Sequence, residues 1–317
     1  MDSTGTAPDL VVVGSANADI VVRVERLPEP GETVRGSEAR IHPGGKGANQ
    51  AAAAARLGAR VVLLARVGED AHGALLLGAQ RAAGVDTSRV LTGGAPTGVA
   101  LITVGPDGDN TIVVSPGANA RLSVADVRAG AALLAAAPVV SLQLEIALES
   151  VVEVVRTVGA ATRVVFNPSP FPSPFAPLPA ELLTACDPLV VNEHEARLVL
   201  GGSAGARRAP EESARALLAL GARSVVVTLG AHGAVVADAR GSARLAAPRV
   251  EAVDSTGAGD AFTGALAWRL GAGDDLATAA RFAVRVGAAT VTRHGAQSSY
   301  PTPEELAALR PAADSDE

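Results

Sequence analysis

The sequence is short of cysteine, of aromatic residues and of positive charge, and each shortage excludes a class of protein. Its single cysteine, Cys186, rules out an intrachain disulfide framework, and we interpret it as a small buried apolar residue. Aromatic residues make up 2% of the 317 residues, and 33 acidic side chains against 27 basic ones give a net charge of -6. An acidic chain without a basic stripe is a poor match for nucleic acid or an anionic membrane.

Long hydrophobic runs are missing as well. No apolar stretch reaches the roughly 18 residues that a membrane-spanning helix needs. Residues 1–9 are small and polar, which is not the basic and then apolar pattern of a secretion signal. We therefore predict a cytoplasmic protein whose partners are small molecules.

Apolar residues are abundant, at 48% of the chain, and they occur in short runs. These runs predict buried strands, with helices between them, at residues 10–13, 61–64, 139–144, 164–166, 189–191 and 225–229. Alternating strands and helices predict a single α/β domain over residues 1–317, with a doubly wound, mostly parallel sheet flanked by helices. Ligands in such sheets bind beyond the carboxyl ends of the strands.

Two segments break this alternation of strands and helices. Residues 20–41 and 98–114 each contain two strand-like pieces around a turn rich in Gly and Pro, and the second piece of the first segment is placed at residues 33–41. Both segments predict antiparallel hairpins. Together they predict a small β-sheet lid, formed by residues 18–43 and 97–116, that stands off the main sheet.

The most informative segment is the turn Asp254-Ser-Thr-Gly-Ala-Gly-Asp260, which leads directly into a predicted helix. Free N–H groups and the helix dipole make such a start an anion site, and Gly257 and Gly259 let a phosphate approach the backbone. Asp260 either caps the helix or acts as a general base toward an attacking hydroxyl. The chain has no Walker loop and no G-x-G-x-x-G after its first strand, which argues against a nicotinamide-dependent oxidoreductase.

A second group of polar residues predicts a binding site for a small polyol. Asn17 and Asp19 follow the first strand, Lys46 and Asn49 lie at the start of the first helix, and Glu145 follows a later strand. Carboxylates accept hydrogen bonds from hydroxyl groups, and the amide and ammonium groups donate to them. Each of these residues alone is better explained as part of a turn or a helix cap.

Five motifs stand in a fixed order along the chain. They are Ser15-Ala-Asn-Ala-Asp19, Gly44-Gly-Lys-Gly-Ala-Asn-Gln50, Leu142-Gln-Leu-Glu145, Thr228-Leu-Gly-Ala-His-Gly233 and Asp254-Ser-Thr-Gly-Ala-Gly-Asp260. Each motif alone has low to moderate specificity, but the five in this order are highly specific. Over residues 10–301, nearly the whole chain, the sequence resembles the ribokinase family of carbohydrate and nucleoside kinases.

This resemblance implies a ribokinase-like α/β fold with a small β lid, and transfer of the ATP γ-phosphoryl group to the 5-hydroxyl of D-ribose. It implies that Asp260 is the base and that the anion hole consists of Gly257, Ala258 and Gly259. It implies that the sugar is contacted by Asn17, Asp19, Gly45, Lys46, Gly47, Asn49, Glu145 and Asp260. It implies that the nucleotide is contacted by Asn192, Thr228, Leu229, Gly230, Ala231, His232, Gly233 and Gly259.

The resemblance also implies two metal ions and a homodimer formed through the lid. Glu195, within Asn192-Glu-His-Glu195, would organise Mg²⁺ indirectly. A monovalent cation, usually K⁺, would lie beside the anion hole, held mostly by backbone carbonyls of Asp254, Thr256, Thr290, Arg293, Gly295 and Ser299.

Three positions depart from the family pattern, and several functions stay open. Ser255 replaces a common Thr, Val284 stands where a polar residue often lies near the adenine, and His294 replaces a common Lys. 2-Deoxyribose or another pentose is an alternative substrate, since one or two contacts decide between them. A nucleoside kinase fits less well, because the predicted lid lacks aromatic residues to stack on a base. A non-catalytic sugar-binding protein would not need the Asp260 base.

Overall fold

The computed structural model describes residues 7–171, 177–202 and 208–309. The prediction that residues 1–9 are not a secretion signal therefore falls mostly outside the described residues. The strands are β1 (Leu10–Val13), β2 (Asn17–Arg23), β3 (Arg40–Gly44), β4 (Val61–Val67), β5 (Val90–Thr92), β6 (Gly98–Val104), β7 (Asn110–Ser115), β8 (Val139–Leu142), β9 (Arg163–Phe166), β10 (Cys186–Asn192), β11 (Ser224–Thr228), β12 (Ala234–Asp238) and β13 (Gly241–Leu245).

Helices separate most of these strands. They are α1 (Lys46–Arg56), α2 (Ala71–Ala82), α3 (Val124–Ala129), α4 (Ala131–Ala136), α5 (Leu148–Thr157), α6 (Ala180–Ala185), α7 (Glu193–Val199), α8 (Pro210–Ala219), α9 (Ala258–Gly271), α10 (Leu276–Thr290) and α11 (Pro303–Ala308). In the described ranges no helix is long and apolar enough to cross a membrane. The cytoplasmic location stays a prediction.

The main sheet has nine strands in the order β13-β12-β11-β10-β9-β8-β1-β4-β5. Strands β11 through β5 run parallel, and β12 and β13 form an antiparallel edge. The apolar sequence of β1 is buried on both faces, as central strands covered by helices require. Two hydrophobic clusters pack on opposite faces of the sheet. The predicted α/β fold class is confirmed.

A smaller sheet with the order β3-β2-β6-β7 contains both predicted hairpins. The pairs β2–β3 and β6–β7 are antiparallel, and β2 and β6 are parallel neighbours. The predicted start of the returning strand at residue 33 is wrong, because β3 begins at Arg40. The residues before Arg40 are almost all exposed. Their ladder contacts with β2 are limited to an isolated bridge between Val24 and Gly36 and hydrogen bonds between Ser37 and Arg23, so no apolar face holds them to the sheet.

The strand register gives the small sheet two different faces. Ile20 lies opposite Ile41 on one side and Leu101 on the other, and Leu101 lies opposite Val113. These four residues, which we name the outer row, share one face because side chains alternate along a strand. Asp19 is one position away and therefore points to the opposite face.

Two further boundaries differ from the predictions. The helix expected at residues 125–136 is divided by Gly130, which ends α3 and begins α4. The strand expected at residues 139–144 ends at Leu142, because the N–H of Leu144 already donates to the carbonyl of Ser169 outside the ladder. Glu145 consequently lies beyond the strand end, where side chains can face a ligand crevice.

Candidate active site

Helix α9 begins at a turn that only glycine can form. Gly257 has a φ of +74°, and a Cβ atom there would lie 2.7 Å from Tyr300 Oη and 2.8 Å from Ala296 Cβ. The first N–H groups of a helix have no partner within the helix. Gly257 and Gly259 line a cavity at this point, so the helix start offers that cavity unpaired donors and a positive dipole end.

Asp260 lies in the first turn of α9, is 8% exposed and lines the same cavity. Asn49 Nδ2 donates to its Oδ2 at 2.9 Å, and Gln50 Nε2 donates to its Oδ1 at 3.3 Å. Both amides come from the start of α1, which lies directly on α9. A Cβ atom at Gly264 would overlap the backbone carbonyl of Gln50, so the glycine allows the close contact.

Glu145 joins the end of β1 to the start of α1. Its Oε2 accepts hydrogen bonds from Ser15 Oγ at 2.5 Å, from the N–H of Lys46 at 2.9 Å and from Asn17 Nδ2 at 3.4 Å. Asn17 is itself held by Asn119, whose Nδ2 donates to Asn17 Oδ1 at 2.7 Å. The predicted sugar-binding residues are thus brought together by hydrogen bonds across three elements.

Asp19 approaches this group from the small sheet. A Cβ atom at Gly44 would overlap the Asp19 carboxylate, so the glycine makes room for it. Burial is the main cause that raises the pKa of Asp19 to about 7; the nearby carboxylates of Glu145 and Asp260 add to the effect, and Lys46 opposes it. The Asp19 carboxylate is therefore poorly solvated and gains from hydroxyl donors.

Lys46 is the cation at the centre of these carboxylates. Its burial alone would lower the pKa, but the negative charges of Asp260, Glu145, Glu195 and Asp19 outweigh it and raise the pKa. Lys46 consequently stays protonated at neutral pH. It lines the cavity together with Asp260, so its charge is available to a bound phosphate.

Two cavities meet beside Asp260. The first, of about 150 Å³, lies between Lys46 and Asp260 on one side and Asn192, Glu195 and Thr228 on the other. The second, of about 580 Å³, shares Thr228 and Gly259 with the first. Its wall is mostly apolar and includes Ala231, Val250, Phe262, Val284 and Val291. A polar compartment followed by an apolar one matches the phosphates and the base of a nucleotide.

The predicted nucleotide-binding residues do not all reach these cavities. Gly230, Ala231 and Gly233 line the apolar cavity. Leu229 packs in the hydrophobic core instead. His232 is exposed and lines neither cavity.

Glu195 is fixed at the cavity by a capping box at the start of α7. Asn192 Oδ1 accepts from the N–H of Glu195 at 2.8 Å, and Glu195 Oε2 accepts from the N–H of Asn192 at 3.0 Å. Asn167 Nδ2 also donates to Glu195 Oε2 at 3.4 Å. The sequence predictions missed Asn167, although its place directly after β9, at a carboxyl strand end, was a usable signal.

The residues assigned to a monovalent cation lie on two adjoining segments, before α9 and at the end of α10. Asp254 joins them, because its carboxylate accepts from the N–H groups of Thr256 and Gly295, each at 2.9 Å. Partial burial alone would raise the pKa of Asp254, but these hydrogen bonds outweigh it and lower the pKa. The side chains of Thr290 and Arg293 are engaged elsewhere, so these two residues offer only backbone carbonyls to an ion.

Comparison with known proteins places this geometry in a family. Residues 7–303 match the model of the pfkB family of carbohydrate kinases. The chain belongs to the pfkB family. A ribokinase of Staphylococcus aureus is 38% identical over 94% of this chain and 98% of its own length. A deoxyribokinase of Salmonella typhi is 34% identical over 94% of this chain and 97% of its own.

A solved structure shares both the pfkB-type architecture and the sequence. It is an Arabidopsis thaliana ribokinase complexed with ribose and ATP, which is 34% identical with a TM-score of 0.85, covering 96% of this chain and 99% of that one. The resemblance found in the sequence is confirmed, and the chain is a carbohydrate kinase. The oxidoreductase and the non-catalytic binding protein are thereby set aside.

Proposed function

We propose that this pfkB-family kinase transfers the γ-phosphoryl group of ATP to the 5-hydroxyl of D-ribose. The observation that carries the proposal is the position of α1 between two groups. At the start of this helix, the N–H of Lys46 donates to Glu145 of the predicted sugar-binding group, and Asn49 Nδ2 donates to Asp260 after the glycine-rich turn. A sugar held by Asn17, Asp19 and Glu145 would therefore present a hydroxyl toward Asp260, beside the phosphate cavity.

This arrangement supports a direct transfer of the phosphoryl group from ATP to the sugar. The Asp260 carboxylate takes the proton of the 5-hydroxyl, the sugar oxygen bonds to the γ-phosphorus, and the bond from that phosphorus to the β-phosphate oxygen breaks to release ADP. The N–H groups of Gly257 and Gly259 would stabilise the charge that develops on the transferred group, and Lys46 adds a cation beside it. The N–H of Ala258, also predicted for the anion hole, donates to the carbonyl of Ser255 at 3.2 Å.

The sugar contacts are also the basis for proposing ribose over other acceptors. Asp19 can accept hydrogen bonds from two neighbouring hydroxyls, and Asn17 and Glu145 supply further acceptors and donors. Curated relatives include both ribokinases and deoxyribokinases, and the ribokinases are up to 38% identical against 34% for the deoxyribokinases. 2-Deoxyribose is the second candidate, and loss of one hydroxyl is the only chemical difference.

Both metal ions of the proposal fit the residues present. Magnesium takes few protein ligands besides phosphate oxygens and water, and the Glu195 carboxylate and Asn192 amide oxygens at the cavity suit it. In the part of the chain that the structure describes, no group of three or more acidic, His or Cys side chains is arranged to hold a metal ion, and a nucleotide-borne magnesium does not require one. Backbone carbonyls around Asp254 and Gly295 suit K⁺. Each ion would supply positive charge beside the phosphates.

The test of the function is an acceptor panel. The purified protein is assayed with ATP, Mg²⁺ and K⁺ against ribose, 2-deoxyribose, other pentoses, hexoses and nucleosides, with ADP release as the readout. We expect the highest kcat/KM for ribose and a single product phosphorylated at the 5-position. A higher kcat/KM for 2-deoxyribose or for a nucleoside would replace ribose as the substrate.

Ribose affinity is expected to depend on pH through Asp19. The ionised carboxylate accepts hydrogen bonds at both of its oxygens, whereas protonation turns one of them into a donor. With a pKa of about 7, the apparent Kd should therefore rise roughly tenfold between pH 8 and pH 6. Calorimetric titration with ribose at several pH values measures the effect. Glu145, Asp260 and Lys46 also face this carboxylate, and His42 lies directly across the strand pair.

Two variants assign this pH dependence to its residue. Asp19→Asn should abolish the change of ribose Kd with pH, whereas His42→Gln should retain it. If the pH dependence of the ribose Kd disappears only in the histidine variant, Asp19 is not its source.

We further propose that the protein is a homodimer formed through the small sheet. Ile41, Leu101 and Val113 of the outer row are each about half exposed, at 46%, 49% and 65%. An apolar row on the outer face of a sheet is poorly suited to water and well suited to a second copy. Leu101→Glu should shift the protein from dimer to monomer in sedimentation velocity; an unchanged mass would contradict this interface.

A further inference from the structure

A chain of hydrogen-bonded, buried amide side chains runs from Gln80 of α2 to Asp260. Gln80 Nε2 donates to Gln297 Oε1 at 3.1 Å, Gln297 Nε2 donates to Asn49 Oδ1 at 3.0 Å, and Asn49 Nδ2 donates to Asp260 at 2.9 Å. All four side chains are buried, with exposures of 2–8%. Gln297 lies in the loop after α10, so this chain links that loop with the three helices α2, α1 and α9.

A second chain reaches the other oxygen of the same carboxylate. Gln50 Nε2 donates to Asp260 Oδ1, and Gln50 Oε1 accepts from Ser141 Oγ at 2.8 Å and from Gln143 Nε2 at 2.5 Å. Ser141, Gln143 and Gln50 are each 0% exposed. The donors therefore point toward Asp260 along both chains.

This common direction has a simple chemical cause. An ionised carboxylate can only accept hydrogen bonds, so Asn49 and Gln50 must each present nitrogen to Asp260. Their oxygens then point away, and each meets only donors, from Gln297 in one case and from Ser141 and Gln143 in the other. Turning any of these amides over would set two acceptors or two donors against each other.

Buried amides stabilise a protein core less than apolar side chains of the same size do. A buried amide destabilises the fold unless both its ends are satisfied. Within the described residues, Gln80 Oε1 and Gln143 Oε1 have no hydrogen-bond partner, so each chain leaves one acceptor unpaired at its outer end. Apolar side chains of similar size would avoid that cost, which points to a role other than stability.

We infer that Gln50, Gln297 and Gln80 are positioning residues that hold the Asp260 carboxylate in the orientation for taking the sugar proton. The inference rests on the proposed function. A general base acts only within hydrogen-bond reach of its proton, and a misplacement of about 1 Å costs roughly 100-fold in rate. None of the three glutamines belongs to the sugar-binding group. Gln50 donates to Asp260 directly, whereas Gln297 and Gln80 act on it through Asn49.

A series of Gln→Met variants at positions 50, 297 and 80 tests the inference. Methionine keeps the volume and removes the hydrogen bonds. We expect kcat to fall roughly 100-fold for Gln50→Met, about tenfold for Gln297→Met and about threefold for Gln80→Met, in the order of their distance from Asp260 along the chains. KM for ATP should stay within about twofold of wild type in all three variants, and KM for ribose in Gln50→Met, because these substitutions remove no contact with that substrate.

Thr162→Val is the matched control for simple loss of a buried hydrogen bond. Thr162 Oγ1 donates to the carbonyl of Ala137 at 2.8 Å, far from the site. This variant should lower Tm while keeping kcat. The inference is overturned if kcat of the glutamine variants follows their loss in Tm as it does in the control, or if KM rises while kcat is kept.

A second substitution covers the case in which Gln50→Met does not fold. Gln297→Glu is nearly isosteric but cannot donate to Asn49 Oδ1, so Asn49 would turn over and present its oxygen to Asp260. We expect a kcat below that of Gln297→Met; a kcat near wild type overturns the inference. An inactive wild-type protein in the same ribose assay would instead reject the proposed function, so the two failures are distinguishable.

Discussion

Asp260→Asn is expected to lower kcat by about 1000-fold while ribose and ATP still bind. An amide cannot take the proton of the attacking hydroxyl, but it keeps the shape of the carboxylate and can still accept from Asn49 or Gln50. The loss should therefore appear in the chemical step. Steady-state kinetics with ribose and a calorimetric titration of the variant measure the two effects separately.

Asp275→Asn is the control for this variant. Asp275 caps α10 by accepting from the N–H of Thr278 at 2.8 Å, and asparagine caps nearly as well. The same chemical change at a helix start remote from the cavities should leave kcat unchanged. Turnover of Asp260→Asn close to that of this control would show that Asp260 is not the base.

Asp19→Ala is expected to weaken ribose binding by roughly 100-fold or more, because two hydrogen bonds to a charged acceptor are lost. ATP binding should change little, since Asp19 lies on the small sheet and lines neither nucleotide cavity. Separate titrations with ribose and with ATP measure this selectivity.

The control for Asp19→Ala is Asp107→Ala, at the exposed turn between β6 and β7 of the same sheet. It removes an equal charge without approaching the sugar-binding group and should leave both affinities unchanged. Equal losses of ribose and ATP affinity in Asp19→Ala would mean that the substitution disturbs the fold and that Asp19 has no specific sugar contact.

Local patterns in the sequence were sufficient for the fold. Continuous apolar runs such as that of β1 identified the buried strands, and the glycine-rich turn before α9 predicted a helix start, whose glycines line a cavity. The returning strand of the first hairpin was misplaced because β-like residues before Arg40 have no apolar partner face, which depends on the rest of the sheet. Gly130 was overlooked because a glycine inside a helical pattern is often tolerated.

The site was predictable only where its residues belong to a motif. Asn17 and Asp260 stand in segments whose local chemistry is unusual. Asn119, Asn167 and Gln297 were missed, because each is an ordinary polar residue until the fold brings it to a partner far away in sequence. Their importance arises from long-range hydrogen bonds, which no local pattern encodes.

The direct contact of α1 and α9 at Gly264 limits how the molecule can move. Asn49 and Asp260 belong to two helices without a side chain between them at that point, so this packing leaves little room for one helix to move against the other. Any closure around a bound sugar would then have to come from the small sheet, which carries Asp19. We therefore expect substitutions in the small sheet to affect sugar binding more than the chemical step at α1 and α9.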